Sequence, residues 1–256
     1  MSIPRVLYTY WEGPTNEVVE LCIASMRKQN PGWTVVVATS ATCEEICGRK
    51  CPMSPKMRSW HQYVADWFRL QCLAEHGGVW LDASCLCLKP LESWVDVSSP
   101  EKLQGFKAPI KRDGLLESWA LACGPNCLFM KAWAEEFDRC ARLGRSEYRR
   151  TLPSYAFPGE GASRYRLVYF TCHHAALKIL HEHPEFPVEM RSSRFDGEPL
   201  GFTLSKLYFC LEDVRRGREP IVPHSFFKIN GTTRRQILRL RSMILAKERG
   251  EEIEPS

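Results

Sequence analysis

The stretch WHQYVADWFRLQCLAEHGGVWLDASCLCLKPLE, residues 60–92, carries a helix pattern straight into a strand pattern that ends on an acid. From Trp60 to Glu75 there is no Gly or Pro, and Tyr63, Val64, Trp67, Phe68, Leu70 and Ala74 share one arc at 3.6-residue spacing. The spacing predicts a packed amphipathic helix. Asp66 and Arg69 sit roughly 60° from each other at about 100° per residue, on the rim of the apolar arc. Gly77 and Gly78 follow at once, and a Gly after the last helical residue accepts the left-handed conformation that ends a helix. Val79, Trp80 and Leu81 then form the short apolar run of a central strand buried on both faces, and Asp82 ends it. In an open α/β sheet, ligands bind at the C-terminal edge of the strands. Strand side chains alternate, so Asp82 and Ser84 point the same way if extension continues that far, and two oxygens then converge on one cation. Taken separately, Asp66 with Arg69 also reads as a surface ion pair and Asp82 as the start of a polar turn. What points to a site is the order: Asp-x-x-Arg, Gly-Gly, apolar strand, Asp-x-Ser, all between residues 66 and 84.

At these residues the chain resembles glycosyltransferases of the GT-A fold whose core reads Ser-Asp-x-x-Arg and then Gly-Gly-x-Tyr-x-Asp-x-Asp, a DXD-type motif. It is most similar to the capsular-polysaccharide-synthesis and α-1,6-mannosyltransferase-like sugar transferases. Asp66, Arg69, Gly77, Gly78, Trp80 in the aromatic place and Asp82 match; Ala65 stands for Ser and Ser84 for the second Asp. The resemblance implies that Asp82 holds a divalent cation on a donor diphosphate, while Asp66 and Arg69 contact donor sugar or ribose hydroxyls. With a hydroxyl replacing one carboxylate, the site should hold bare metal more weakly and lean on the nucleotide's own phosphate oxygens. A Ser or Thr occurs at that place in capsular-type relatives. The opening IPRVLYTYWEG also resembles the Ile-Pro-Lys-Ile-Ile-His-x-x-Trp-x-Gly start of these families. By that resemblance Tyr10 and Trp11 border the nucleotide base, a use that suits an exposed aromatic face; the plain alternative for Trp11 is packing.

The 256 residues, 44% apolar, suffice for one sizeable core and fit a single large α/β domain. A net charge of +5, spread along the chain, suits an anionic small ligand. No aromatic-interleaved basic motif for nucleic acid is present. The start lacks a charged leader with an apolar core, and no apolar run approaches the ~18 residues of a membrane span, so the expected location is cytoplasmic. Twelve cysteines, several inside apolar stretches, read as buried thiols of a reducing compartment. Cys43, Cys47 and Cys51 are four apart, but Pro52 and the lack of a C-x-x-C pair argue against structural zinc.

Outside the central stretch, Ile3–Tyr10 and Trp33–Ala38 read as strands flanking a helix capped by Asn16, the alternation of an α/β nucleotide-binding half. Residues 93–114 are polar and turn-rich and read as a surface connection. Leu115–Cys123 reads as a strand on which Glu117 and Trp119 face one side, and a helix runs from Gly124-Pro125 to Leu143. In transferases of this architecture the corresponding region tends to line the acceptor pocket. Trp119 would then stack on a sugar and Glu117 accept its hydroxyls, or both simply pack. Residues 145–163 read as a loop over the site. A helix over 164–183 carries His173 and His174, which point about 100° apart and cannot share a metal face; one of them contacts acceptor or phosphate, or packs. Pro220–Asn230 is an apolar run holding His224, by the resemblance a third metal ligand, and Lys228, a diphosphate contact. Thr232–Glu251 reads as a basic helix, docked on its own domain or touching an anionic membrane surface that carries a lipid-linked acceptor.

The expected architecture is a single GT-A-like, Rossmann-like α/β domain with a mostly parallel central sheet flanked by helices. Its nucleotide-sugar half spans 1–92, its acceptor half 93–231 and its basic tail 232–256. The expected function is metal-dependent transfer, with Mn²⁺ or Mg²⁺ on Asp82, Ser84 and His224, of a sugar from a nucleotide diphosphate, UDP first among them, to a glycan or other hydroxyl acceptor. The resemblance points to retention; inversion would need a base such as Glu117. Donor hydrolysis, and nucleotide or glycan binding without catalysis, are the competing readings.

Overall fold

The computed structural model describes residues 2–107, 115–156, 170–192, 204–218, 226–229 and 231–248. The chain opens with strand β1 (Val6–Tyr10), helix α1 (Glu17–Gln29) and strand β2 (Thr34–Ala38). The Asn16 side-chain oxygen accepts the Val19 amide at 3.2 Å, satisfying an amide that has no partner inside α1. Two short helices, α2 (Cys43–Cys47) and α3 (Pro55–Arg58), lead into α4 (His61–His76) and β3 (Gly78–Leu81). The helix and strand read from the central stretch are both present, and the glycine pair is their corner. Gly77 and Gly78 have φ of 65° and 108°. A Cβ on Gly77 would lie 2.6 Å from the Pro125 nitrogen, and one on Gly78 2.7 Å from the Val6 carbonyl oxygen. Conformation and close approach therefore both demand glycine.

The remaining elements are β4 (Cys85–Cys87), β5 (Leu103–Lys107), β6 (Leu116–Cys123), α5 (Leu128–Leu143), α6 (Arg145–Thr151), α7 (Thr171–Glu182), β7 (Val188–Ser192), α8 (Leu204–Arg215), β8 (Phe226–Lys228) and α9 (Gly231–Glu248). The main sheet has the order β2-β1-β3-β6-β5-β7. Its strands share one direction except β6, which runs antiparallel to β3 and β5, so the sheet is mostly parallel as expected. β4 and β8 form a separate antiparallel pair with Cys85 opposite Lys228.

Alternation along β3 supplies both faces of the sheet. Trp80 joins Tyr8, Leu121, Trp67 and Phe68 of α4 and Trp133 of α5 in one core, while Val79 and Leu81 join Leu7, Met26 of α1, Trp33 and Trp94 in the other. The site helix is also fixed from behind. Buried Asp138 of α5 accepts Trp67 Nε1 at 2.8 Å and Gln71 Nε2 at 3.0 Å, and pairs with Arg49 at 2.6 Å. A buried carboxylate so fully partnered locks α4 against α5.

Three expectations are corrected. The surface connection over 93–114 contains β5, an inner strand of the sheet. Its polar Gln104 is buried and bonds the Asp96 amide at 2.7 Å and carbonyl at 2.8 Å, substituting for backbone pairing and hiding the strand from a hydropathy pattern. The loop expected from residue 145 begins as α6, started by Gly144 and anchored by the fully buried Tyr148; residues 157–163 lie outside the described residues. Extension also does not continue from Asp82 to Ser84. The Cys85 amide donates to the Asp82 carbonyl at 2.8 Å, closing a turn. His224 lies outside the described residues as well.

Candidate active site

Asp82 directly follows β3, at the C-terminal edge of the parallel strands. Trp80 and Asp82, two residues apart, share a face, and the indole Nε1 donates to Asp82 Oδ1 at 2.9 Å. Arg69 reaches the same oxygen from α4, its Nη2 at 2.9 Å, while its guanidinium lies 4.7 Å from the Trp80 ring centroid. One helical turn earlier, Asp66 Oδ1 is 3.0 Å from Arg69 Nη1. The helix thus contributes an acid and a base at i,i+3 spacing and the strand a second acid, with Arg69, 4% exposed, between them. The Lys228 ammonium meets both Asp82 Oδ2 and Ser84 Oγ, the latter at 3.2 Å. The turn at 82–84 thereby brings together the two oxygens that an extended strand was expected to align.

Burial favours protonation of both acids, and their neighbours decide the outcome. At Asp82, Lys228 and Arg69 outweigh burial and hold the carboxyl below its usual range. At Asp66 burial wins over the Arg69 charge, and the carboxyl is pushed up to about 6. Burial lowers Lys228, but the Asp82 carboxylate more than compensates and the ammonium is retained.

Asp66, Arg69, Trp80, Asp82 and Ser84 line a cavity of about 180 Å³ together with Tyr10, Trp11, Ala65 and Ser118, and Lys228 stands behind Asp82 and Ser84. Tyr10 is buried, with its hydroxyl donating to Glu12 at 2.7 Å. Trp11 is half-buried and its ring is met by Arg234 of α9, the guanidinium carbon 5.0 Å from the centroid. α9 is docked on its own domain: Ile237 is buried against Val18 and Cys22 of α1, and Arg241 pairs with Glu17.

The structure brings Tyr10, Trp11, Asp66, Arg69, Trp80, Asp82, Ser84 and Lys228 to one place. It does not bring Glu117 or Trp119 there. Trp119 is stacked on Phe106 in the core, centroids 5.4 Å apart, with its Nε1 donating to Glu117 at 3.1 Å. Their shared face of β6 is the one turned away, and Ser118 between them lines the cavity instead.

Gln62, Ser118 and His173 are cavity residues that the sequence reading did not single out as site residues. His173 and His174 were read as an adjacent pair of which one contacts acceptor or phosphate, or packs; the turn of α7 puts His173 into the cavity while His174 is buried outside its lining. Burial and the nearby Arg69 lower His173 to about 3, so its imidazole is neutral near pH 7. A second cavity, about 370 Å³, lies at the start of α4 and is lined by exposed Trp60 together with Lys56, Tyr63, Arg145 and Arg150.

The capsular polysaccharide synthesis protein family matches residues 6–135, half of the chain, including every element that builds the Asp66, Arg69 and Asp82 array. The chain belongs to that family. That membership agrees with the glycosyltransferase that the motif resembles. Solved structures similar to this family member include a glycosyltransferase involved in the glycosylation of the major capsid of PBCV-1. That structure is 14% identical, covers 94% of this chain and 100% of the other, and has a TM-score of 0.48. Others are the PaToxG glycosyltransferase, at 13% identity, 93% and 84% coverage and a TM-score of 0.45, and the galactosyltransferase LgtC in complex with donor and acceptor sugar analogs, at 13%, 87% and 86%, and 0.44. No curated protein sequence matches the chain. Among the described residues no helix is long and apolar enough to cross a membrane.

Proposed function

We propose that the chain transfers a glycosyl group from a nucleotide-diphosphate sugar, UDP being the expected nucleotide, to a hydroxyl of a glycan acceptor, with retention at the anomeric carbon. The observation that carries this reading is the array Asp66, Arg69 and Asp82 on the Trp80 ring, opening into one cavity with Tyr10 and Trp11. In the reaction the bond from the anomeric carbon to the diphosphate oxygen breaks, and its electron pair stays on the diphosphate. The acceptor oxygen bonds to that carbon, and its proton passes to the departing diphosphate. Negative charge grows on the leaving group, and fixed positive groups that need no reorganisation stabilise it best.

Asp66, protonated below about pH 6 and ionised above it, is suited to hold a sugar hydroxyl, with Arg69 keeping it in place. The neutral His173 imidazole offers a further hydrogen-bonding atom to a hydroxyl. Trp11 is the base platform, sharing its ring with Arg234. For the acceptor, the cavity at Trp60 takes the place first given to Trp119: it presents the half-exposed indole of Trp60, with Arg145 over the ring, at the start of the helix that carries Asp66. Twelve free, buried cysteines suit a cytoplasmic setting.

A resident Mn²⁺ or Mg²⁺ was expected on Asp82, Ser84 and His224. The described residues do not fit one. Both Asp82 oxygens are engaged, Oδ1 by Arg69 and Trp80 and Oδ2 by Lys228, and Ser84 faces the same ammonium. Among the described residues no three His, Cys, Asp or Glu gather for a metal.

Thermal stabilisation by a panel of nucleotide sugars, followed by product analysis with and without glycan acceptors, tests the function. An acceptor-dependent glycoside is expected. Free sugar released without acceptor would establish hydrolysis, and donor binding with no product would establish a binder.

A further inference from the structure

We propose that Lys228 supplies, as a fixed ammonium, the positive charge that a divalent ion was expected to bring, so that this chain binds its donor diphosphate without a divalent cation. The inference rests on the donor reading above and concerns the same cavity. Four observations carry it.

The first is position. Lys228 Nζ lies against Asp82 and Ser84, the two side chains that the motif would present to an ion. The second is that this position is built into the backbone. β8 pairs with β4 so that Lys228 is opposite Cys85, and the Ile229 amide donates to the Ser84 carbonyl at 2.9 Å. The turn bearing the two oxygens and the strand bearing the ammonium are therefore one hydrogen-bonded unit. The third is charge. Among the described residues, Asp66 and Asp82 are the carboxylates lining the cavity, and Arg69 and Lys228 balance them one for one. A divalent ion would enter with no surplus negative charge to receive it and two cations to repel it. A second carboxylate at position 84 would have left such a surplus, and a hydroxyl does not. The fourth is donor count. An ammonium has three N–H groups; among the described residues Asp82 and Ser84 take two, and a phosphate oxygen would take the third. Arg234, over the Trp11 ring, places a further cation beside the cavity, from the helix that follows β8.

The test compares UDP and UDP-sugar binding by titration calorimetry in metal-stripped buffer with chelator and in buffer with excess Mn²⁺, and separately titrates Mn²⁺ alone into the chain. We expect equal donor affinity in the two buffers and no stoichiometric Mn²⁺ binding. Lys228→Met should weaken donor binding at least about tenfold in both buffers, the loss of a charge-assisted hydrogen bond, while Lys228→Arg should retain most of it. Donor binding by the unaltered chain that requires Mn²⁺, or Mn²⁺ bound tightly in the donor's absence, overturns the proposal and leaves the transferase reading standing. If Lys228→Met does not fold, the comparison of the two buffers decides alone. Failure of every nucleotide sugar to bind in either buffer removes the donor reading, and this inference with it.

Discussion

Changing Asp82 to Asn keeps the shape of the side chain and deletes the charge on which two cations converge. Arg69 and Lys228 have side chains only 5% and 16% exposed, so water replaces the lost carboxylate poorly. Attraction within one such pair at about 3 Å, with an effective dielectric near 20, is about 5 kcal/mol. Relaxation recovers part of it, since Arg69 still has Asp66 and lysine is flexible. Removing one partner of a buried pair typically costs about 3–5 kcal/mol. The Asn amide must also turn an N–H toward either Lys228 or the Arg69 and Trp80 donors, setting donor against donor. We therefore expect Asp82→Asn to lose about 3–5 kcal/mol, a fall in Tm of roughly 6–20 °C for a chain of this length. Lys228→Met leaves Asp82 with Arg69 and Trp80 and should cost about 1–3 kcal/mol. In the double variant the lysine no longer lacks a partner, so the combined loss should fall short of the sum by at least about 1 kcal/mol. Urea unfolding of the four proteins measures this coupling. Losses that add to within about 0.5 kcal/mol would refute the shared charge balance at Asp82.

Asp66, at about 6 when folded against 3.8, binds its proton more tightly in the folded chain. Its contribution to stability is full below about pH 4 and disappears as pH rises through 6; with Arg69, Asp82 and Lys228 around it, it amounts to roughly 3 kcal/mol at most. Asp66→Asn should flatten that decline in urea midpoints between pH 4 and 7, and an unchanged slope would disprove the assignment. His173 should show no imidazole titration above pH 5 by NMR, because burial and Arg69 hold it neutral; a midpoint near 6.5 would contradict its placement. Gly78→Ala combines a φ of 108° with a 2.7 Å approach to the Val6 carbonyl, so we expect a loss of at least about 2 kcal/mol, read as thermal unfolding; a change within about 0.5 kcal/mol would mean that β1 and β3 lie further apart.

The first half of the fold was legible because its signals are local. The arc from Tyr63 to Ala74, the glycine corner and the run Val79–Leu81 each correspond to an element found within a residue or two of its expected bounds. Asn16 capping α1 is equally local. The later elements depend on distant partners. β5 is an inner strand in which Gln104 bonds residue 96 and Gly105 breaks the apolar run, and neither carries a strand signal. At the site, residues close in sequence were recoverable from spacing, but which face of β6 turns inward was not. Glu117 and Trp119 do share a face, as alternation requires, and tertiary packing turned that face toward Phe106. The pairing of Lys228 with Asp82 across 146 positions has no sequence signal beyond the lysine itself.

All twelve thiols are unpaired and sealed, on helices, strands and connections from Cys22 to Cys210. Each can meet an alkylating reagent only when its own neighbourhood opens, so labelling rates followed by mass spectrometry would convert them into a map of local opening free energies. Cys85 and Cys87 report on the β4–β8 pair, Cys72 and Cys140 on α4 and α5, and Cys22 on the seat of α9. A donor that tightens the cavity should slow modification at Cys85 first, with no label introduced by design.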